Sequence, residues 1–473
     1  MNIEILTNKS ALDWRLIIVL MLLGISFFKT TPVYSSSGQH VLIRNITLID
    51  GTGQGPKTAV DVLLNGDKIS SIGKAIEQSD ATIVIDGSGK FLIPGLIDTH
   101  AHFQFPVVFQ ITDEEKQAIR NHTPSAFLYN GVTSVLNVSS DAEWIWDVRK
   151  RQRAGYLVGP RIYALGHSFS PPGGWGSRHG GSLKDAESAR KRVMAYLDAG
   201  ADGLKVIIED GLGDGSGVYI EMPEDMLETI VELSRKENIP MFVHAIGLSE
   251  FHRAAKIKPR AIIHGLEHAL PAGDTLIAEL LANNIAVVPT LSLFESFLAA
   301  DPHAGAGLDH PILEASVPSF LLENMRKADY MEAERGFFSK VARMKVYEWA
   351  RATNPIFCEN VRKMHKAGVK IGVGTDAGGT VGYNYQGYNT PWEVKILVGC
   401  GLSPMQAILA ATKNNAEIIG VGDQIGTIES GKQADMLILN SDPLKNIENI
   451  RDIEWVIQNG TVHARSDFAY RAP

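Results

Sequence analysis

Between residues 91 and 376 the chain repeats one unit eight times: a short apolar run, then in most cases a stretch whose apolar residues recur at helical spacing. The apolar runs fall at 91–102, 131–137, 161–166, 203–208, 241–245, 261–268, 285–290 and 369–376. Between the fourth and fifth, residues 223–237 show the helical pattern, with Pro223 at the first turn and Met226, Leu227, Ile230, Val231 and Leu233 forming an apolar stripe. The runs read as apolar strands that alternate with amphipathic helices. Eight such units predict an α/β fold, a (β/α)8 TIM barrel. The interval from 292 to 367 carries helical character and no strand signal, so it reads as a cap inserted after strand seven.

The flanks follow a different pattern. From residue 41 to 92, short strand-like runs alternate with turn residues at Gly51, Gly53, Asn65-Gly66, Asp86-Gly87 and Gly89, as in a small antiparallel sheet. Similar runs return at 433–439 and 453–462, so both ends of the chain are expected to build one small β-sandwich domain. The expected boundaries are 1–35 for a signal peptide, 36–93 and 419–473 for the two parts of the β domain, and 94–418 for the barrel.

At the start, Lys9 and Arg15 precede thirteen nearly all apolar residues, 16–28. A bilayer-spanning helix needs about 20, whereas this length suits a signal-peptide core, with Val33-Tyr34-Ser35 as a small-residue cleavage site. The expected location is periplasmic or secreted, with no stable membrane insertion after cleavage; an uncleaved anchor is the alternative. Only Cys358 and Cys400 are present, enough for at most one internal bridge. The net charge of −8 is spread without long runs of one sign, which argues against a nucleic-acid partner. A homo-oligomer is compatible with the sequence, which does not set the oligomeric state.

Chemistry concentrates where the apolar runs end. His100 and His102, at i and i+2 on the first strand, share a face and can offer two imidazoles to one metal ion. Later strands end in Lys205, His244, His264 or His268, and Asp376. Taken singly, each has a plainer explanation: a hydrogen-bonded core histidine, an aspartate capping a turn, a lysine reaching to water. In a barrel all of them converge at one end, and imidazoles with one acid suit zinc or a similar divalent ion. If Lys205 faces the interior, burial lowers its pKa and exposes a neutral amine that can take up carbon dioxide. Other motifs fail. Residues 211–217 are glycine-rich but lack the Lys-Ser/Thr of a phosphate loop, and Gly166-His167-Ser168-Phe169-Ser170 lacks the final glycine of a nucleophile elbow.

Several segments carry a resemblance: Pro94-Gly95-Leu96-Ile97-Asp98-Thr99-His100-Ala101-His102, Gly200-Ala201-Asp202-Gly203-Leu204-Lys205-Val206, Val243-His244-Ala245, Leu266-Glu267-His268, Val288-Pro289-Thr290-Leu291 and Gly374-Thr375-Asp376-Ala377. Through them the chain resembles the amidohydrolase superfamily, in particular the imidazolonepropionase-related branch with its metal-dependent Xaa-Pro and Xaa-Arg/Lys dipeptidases. The similarity runs from about residue 40 to the end. It implies two divalent metal ions, zinc by preference: one held by His100, His102 and Asp376, the other by His244 and His268, with N6-carboxylated Lys205 between them. It also implies that Asp376 acts as general base on a bridging hydroxide. His264 is then a neighbour that orients a ligand. Arg178 and His179, in the loop after strand three, are candidates for substrate contact, as is His167; this loop departs from the Gly-Gly-His pattern of relatives. The implied reaction is hydrolysis of an amide C–N bond in a small molecule, a dipeptide or N-acyl amino acid. A cyclic amide or phosphotriester, or a non-catalytic metal-binding or ligand-binding barrel, are the alternatives.

Overall fold

The computed structural model of the protein describes residues 40–77, 83–103, 112–179, 182–211, 219–300, 310–326, 345–378 and 384–471. The expected signal segment, residues 1–35, lies outside them. Among the described residues, no helix is long and apolar enough to cross a membrane.

The chain opens with β1 (His40–Leu48), β2 (Lys57–Asn65), β3 (Lys68–Gly73), β4 (Ile83–Asp86) and β5 (Phe91–Pro94). The barrel strands follow: β6 (Leu96–Ala101), β7 (Val132–Asn137), β8 (Arg161–Ala164), β9 (Leu204–Ile207), β10 (Met241–His244), β11 (Ala261–Ile263) and β12 (Ala286–Val288). The chain ends with β13 (Met436–Leu439), β14 (Ile453–Gln458) and β15 (Thr461–Ala464).

Sequence reading treats residues 91–102 as one strand, but the structure breaks it at Gly95. Before the break, β5 joins the small sheet, whose order is β15-β14-β13-β5-β1-β2-β3 with β4 beside β1. After it, β6 joins the barrel. A Cβ on Gly95 would lie 2.0 Å from Thr133 Oγ1, so only glycine lets the chain pass this close to β7. The small sheet does draw on both ends of the chain, through the antiparallel pairing of β5 with β13. It is mixed rather than antiparallel, because β4 and β5 both run parallel to β1. Val41, Ile43, Val62, Leu92, Met436 and Ile438 fill its own apolar core.

The barrel assembles from two parallel arcs, β6-β7-β8 and β9-β10-β11-β12. Phe169 bridges the first junction by pairing with Val206. The eighth expected strand closes the second: Ile371 pairs with Val287 on one side, and Ala377 with Ala101 on the other. That segment forms single bridges instead of a regular strand, since Thr375 and Asp376 both donate backbone N–H groups to His100 O. Buried Ile97, Leu136, Tyr163, Phe242, Ile263 and Val288 come from six different strands and form one cluster, as in a packed barrel interior. The described part of the 292–367 interval is helical, at Pro311–Ser316, Ser319–Met325 and Val346–Ala367. Cys358, on the last of these helices, forms a disulfide with Cys400, at the end of helix Asn389–Gly399.

Candidate metal centre

Strand alternation places Asp98, His100 and His102 on one side of β6 and its continuation. Asp98 is fully buried and accepts hydrogen bonds from Thr375 Oγ1 at 2.8 Å, Thr390 Oγ1 at 2.8 Å and His100 N at 3.0 Å. Burial, only partly offset by those donors, pushes its carboxyl up to about 6. Asp98 thus pins the end of the first strand to the closing segment and to helix Asn389–Gly399.

His100, His102 and Asp376 place one ligand atom each within 4.8 Å of one another. Asp376 Oδ1 lies 2.9 Å from His100 Nε2 and 2.7 Å from His102 Nε2. Burial alone would raise this carboxyl, but the bonds to the two histidines outweigh it and hold Asp376 well below the usual carboxylate range. A carbonyl only accepts, so Ser139 O, 2.9 Å from His102 Nδ1, places the proton of a neutral His102 on Nδ1. Its bare Nε2 then faces a carboxylate oxygen at 2.7 Å. Two acceptors sit that close only when they share a cation, either a proton or a metal ion. His100 adds an unsatisfied buried Nδ1, and Lys205 a buried Nζ with no hydrogen-bond partner.

Lys205, on β9, is 3% exposed, so it does not reach to water. Burial pushes its ammonium down to about 7, against the opposing pull of the Asp376 charge. His244 ends β10, and its ring centroid lies 4.2 Å from that of His264, which lies 5.0 Å from His100. Burial, followed by the charges of His244 and His100, holds His264 well below the ordinary histidine value, so its ring is neutral.

His268, the strand-six residue favoured by sequence, stands outside this cluster. Its side chain is 47% exposed, with Nδ1 3.8 Å from Glu267 Oε1. The physical reason is that β11 ends at Ile263 and His264 turns into the left-handed region (φ 82°), which carries residues 265–268 away from the strand line. A signal for His264 was present: Ile262-Ile263-His264 repeats the Phe242-Val243-His244 pattern of the neighbouring strand. Arg178 and His179 lie on the short 3-10 turn Trp175–His179, and their side chains are outside what the structure describes. His167 sits in the same loop, with its Nε2 3.9 Å from Asp141 Oδ2.

Three consecutive strand ends share an uncommon backbone. His264 (φ 82°), Thr290 (φ 50°) and Asp376 (φ 57°) are all left-handed and non-glycine. Such residues cost roughly 1–3 kcal/mol each and persist where surrounding bonds fix them. Here Thr290 Oγ1 meets His264 Nδ1 at 2.8 Å. The turn after Thr290 is in turn held by Glu393, which accepts from Leu291 N at 2.9 Å and Ser292 N at 2.6 Å. Burial pushes the Glu393 carboxyl up to about 8 despite these donors. Sequence reading noted Thr290 only within the Val288-Pro289-Thr290-Leu291 segment and did not find Glu393, nor Glu209, whose carboxylate contacts His244 Nε2.

Comparison with known proteins fits this architecture. The model of the Amidohydrolase family matches residues 91–463. The ochratoxinase of Aspergillus niger is 25% identical over 398 residues, covering 76% of this chain and 72% of the relative. The imidazolonepropionase of Syntrophobacter fumaroxidans is 26% identical over 272 residues, 53% of this chain and 60% of the relative. Among solved structures, a Xaa-Pro dipeptidase with methionine bound in its active site superposes with a TM-score of 0.71 at 24% identity, covering 90% of this chain and 100% of that one.

Proposed function

The chain belongs to the amidohydrolase family, and on that premise we propose that it hydrolyses the amide bond of a dipeptide or N-acyl amino acid with two divalent metal ions, zinc by preference. The observation that carries this reading is the convergence of His100, His102 and Asp376 with His244, His264 and the unpartnered amine of Lys205. His100, His102 and Asp376 would hold one ion, and His244 and His264 the other; His264 takes the place that sequence reading gave to His268. Lys205 would bridge them after its neutral amine adds to the carbon of carbon dioxide, forming an N–C bond and releasing one proton. The resulting carbamate is an anionic oxygen donor, and its formation removes the burial problem of an amine with no partner.

When bound, paired metal ions would supply Lewis acidity that lowers the pKa of a water and polarises the scissile carbonyl. The protein's own residues do the rest. Asp376 is ionised across the working pH range, since its carboxyl is held well below the ordinary value. Its Oδ1 is engaged by the two histidines, so Oδ2 is the atom left to take a proton from the attacking water and pass it to the departing nitrogen. Lys205, His100 and His264 are buried at the strand ends, while His102 and Asp376 keep part of their surface open. Hydrolysis of an amide bond is supported by the similarity in sequence to an ochratoxinase.

The test is metal analysis of the purified protein, reconstituted with zinc and bicarbonate, joined to a screen of dipeptides and N-acyl amino acids. Two ions per chain and amide turnover are expected. Less than one ion per chain would sink the two-metal reading, and full loading without amide hydrolysis would sink the substrate class.

Export to the periplasm or beyond the cell is part of the same proposal. The apolar run at 16–28 supports it, as does the Cys358–Cys400 disulfide, a bond that persists in oxidising compartments. Amino-terminal sequencing of protein recovered from culture supernatant or periplasm should begin after residue 35; an intact Met1 would contradict cleavage.

A further inference from the structure

Each site histidine except His100 has one ring nitrogen committed to the protein, and the committed atom differs. His102 and His264 are engaged at Nδ1, by Ser139 O and Thr290 Oγ1. His244 is engaged at Nε2, by the carboxylate of Glu209. Glu209 is the only carboxylate of the three partners, and its side chain is fully buried. A buried carboxyl oxygen needs a donor, and an imidazole N–H is one.

The placement is built, not incidental. Strands β9 and β10 pair in register with Ile207 opposite His244, and Ile208 N donates to His244 O at 3.3 Å. One residue further, the chain delivers Glu209 beside the imidazole. Glu250 then ties the two outgoing loops together: its Oε2 accepts from Ile246 N at 2.8 Å and Gly247 N at 3.0 Å, and its Oε1 from Asp210 N at 3.3 Å. The residues just after His244 and just after Glu209 are therefore held by one buried side chain.

From this geometry we infer that Glu209 is the positioning residue of the second metal subsite: it accepts a hydrogen bond from His244 Nε2–H, fixes that tautomer, and leaves Nδ1 as the metal-binding nitrogen. The inference rests on the two-metal reading above. A ring nitrogen that donates to carboxylate cannot also ligate, so His244 enters the metal set through the opposite atom from His102 and His264. A carboxylate behind a ligating imidazole also makes the ring a stronger donor.

The experiment compares the metal-loaded wild type with Glu209→Gln, Glu209→Ala, Glu209→Asp and His244→Ala. The readouts are ions per chain, chelator competition for the weaker-held ion, and the visible spectrum after cobalt substitution. Glu209→Gln is nearly isosteric and keeps an acceptor oxygen, so it should fold, retain both ions, and hold the weaker one about 10-fold less tightly, with Glu209→Ala nearer 100-fold. A shifted cobalt band in both, partly restored in Glu209→Asp, is expected from a repositioned ligand and not from a merely structural residue. Unchanged affinity and spectrum in Glu209→Ala would overturn the inference. So would loss of one whole ion in Glu209→Gln, matching His244→Ala, because Glu209 would then be a ligand itself. A wild type that binds no metal would overturn this inference and the two-metal reading together, whereas normal wild-type loading with unaffected variants would overturn this inference alone.

Discussion

Replacing Lys205 by methionine should stabilise the metal-free protein while abolishing its activity, and the gain should depend on pH in a defined way. The side chain is 3% exposed and its Nζ has no hydrogen-bond partner. Burial pushes the amine from its ordinary 10.5 down to about 7 in the folded state. Below about 7 the lysine is charged in both states, and folding bears the whole burden of hiding a charge. Between 7 and 10.5 the unfolded chain holds a proton that the folded one lacks, so wild-type stability rises with pH. Each tenfold step in proton concentration is worth about 1.4 kcal/mol, which makes the full span roughly 5 kcal/mol. Across two pH units inside that window, the wild type should gain about 3 kcal/mol that Lys205→Met does not. Urea unfolding of both chelator-treated proteins in carbon-dioxide-free buffer, at about pH 7.5 and about pH 9.5, reads this difference directly. Parallel pH dependence in the two proteins would refute it, because it would mean that the amine is solvated or paired in the folded state.

The site offers two sharper tests. Asp376→Asn should reduce turnover by at least about 100-fold with a much smaller change in substrate affinity, checked by separate kcat and inhibitor-binding measurements. His264→Ala should lose one of the two metal ions by elemental analysis, while His268→Ala, altering a half-exposed ring, should keep both and remain active. Breaking the Cys358–Cys400 bridge by Cys358→Ser should cost about 2–4 kcal/mol in denaturant unfolding, and reductant should shift the wild type but not the variant. His252 gives a pH signature of the opposite sign to Lys205. Burial would lower it, but hydrogen bonds to Glu279 and Asp274 outweigh this and raise it. Its contribution is full below its unfolded value of about 6.5 and fades as pH rises through the higher folded value, so His252→Ala should lose more stability at about pH 6 than at about pH 8.

The barrel was legible because seven buried strands and the bridged segment that closes the ring leave eight apolar runs in the sequence. His100, His102, Lys205, His244 and Asp376 could be read for a related reason: a polar side chain at the end of such a run has few other places to be. Legibility failed where the chain leaves the strand. Nothing in Ile263-His264-Gly265 announces a left-handed turn, so the resemblance carried by Leu266-Glu267-His268 points to a histidine that the backbone takes away from the strand line. Glu209 carries no sequence signal, because its place beside His244 depends on the register of β9 against β10, which is a tertiary fact. Glu393 is hidden more deeply still, since its partners lie about a hundred residues earlier in the chain. The break at Gly95 follows from the proximity of Thr133, which sequence periodicity cannot express.

That break has a consequence for how the protein comes to be folded. The histidine strand continues directly from β5, and β5 pairs with β13, whose Met436 lies opposite Pro94 across more than three hundred residues of chain. A nascent chain therefore reaches the barrel's last helices with one flank of β5 still lacking its neighbour. Long-range pairings of this kind are slow to form and leave an open strand edge in the meantime. Synthesis from the amino end cannot complete the small sheet until its final residues emerge. A carboxy-terminal truncation that removes β13 but leaves every proposed metal ligand in place should therefore yield an aggregating product.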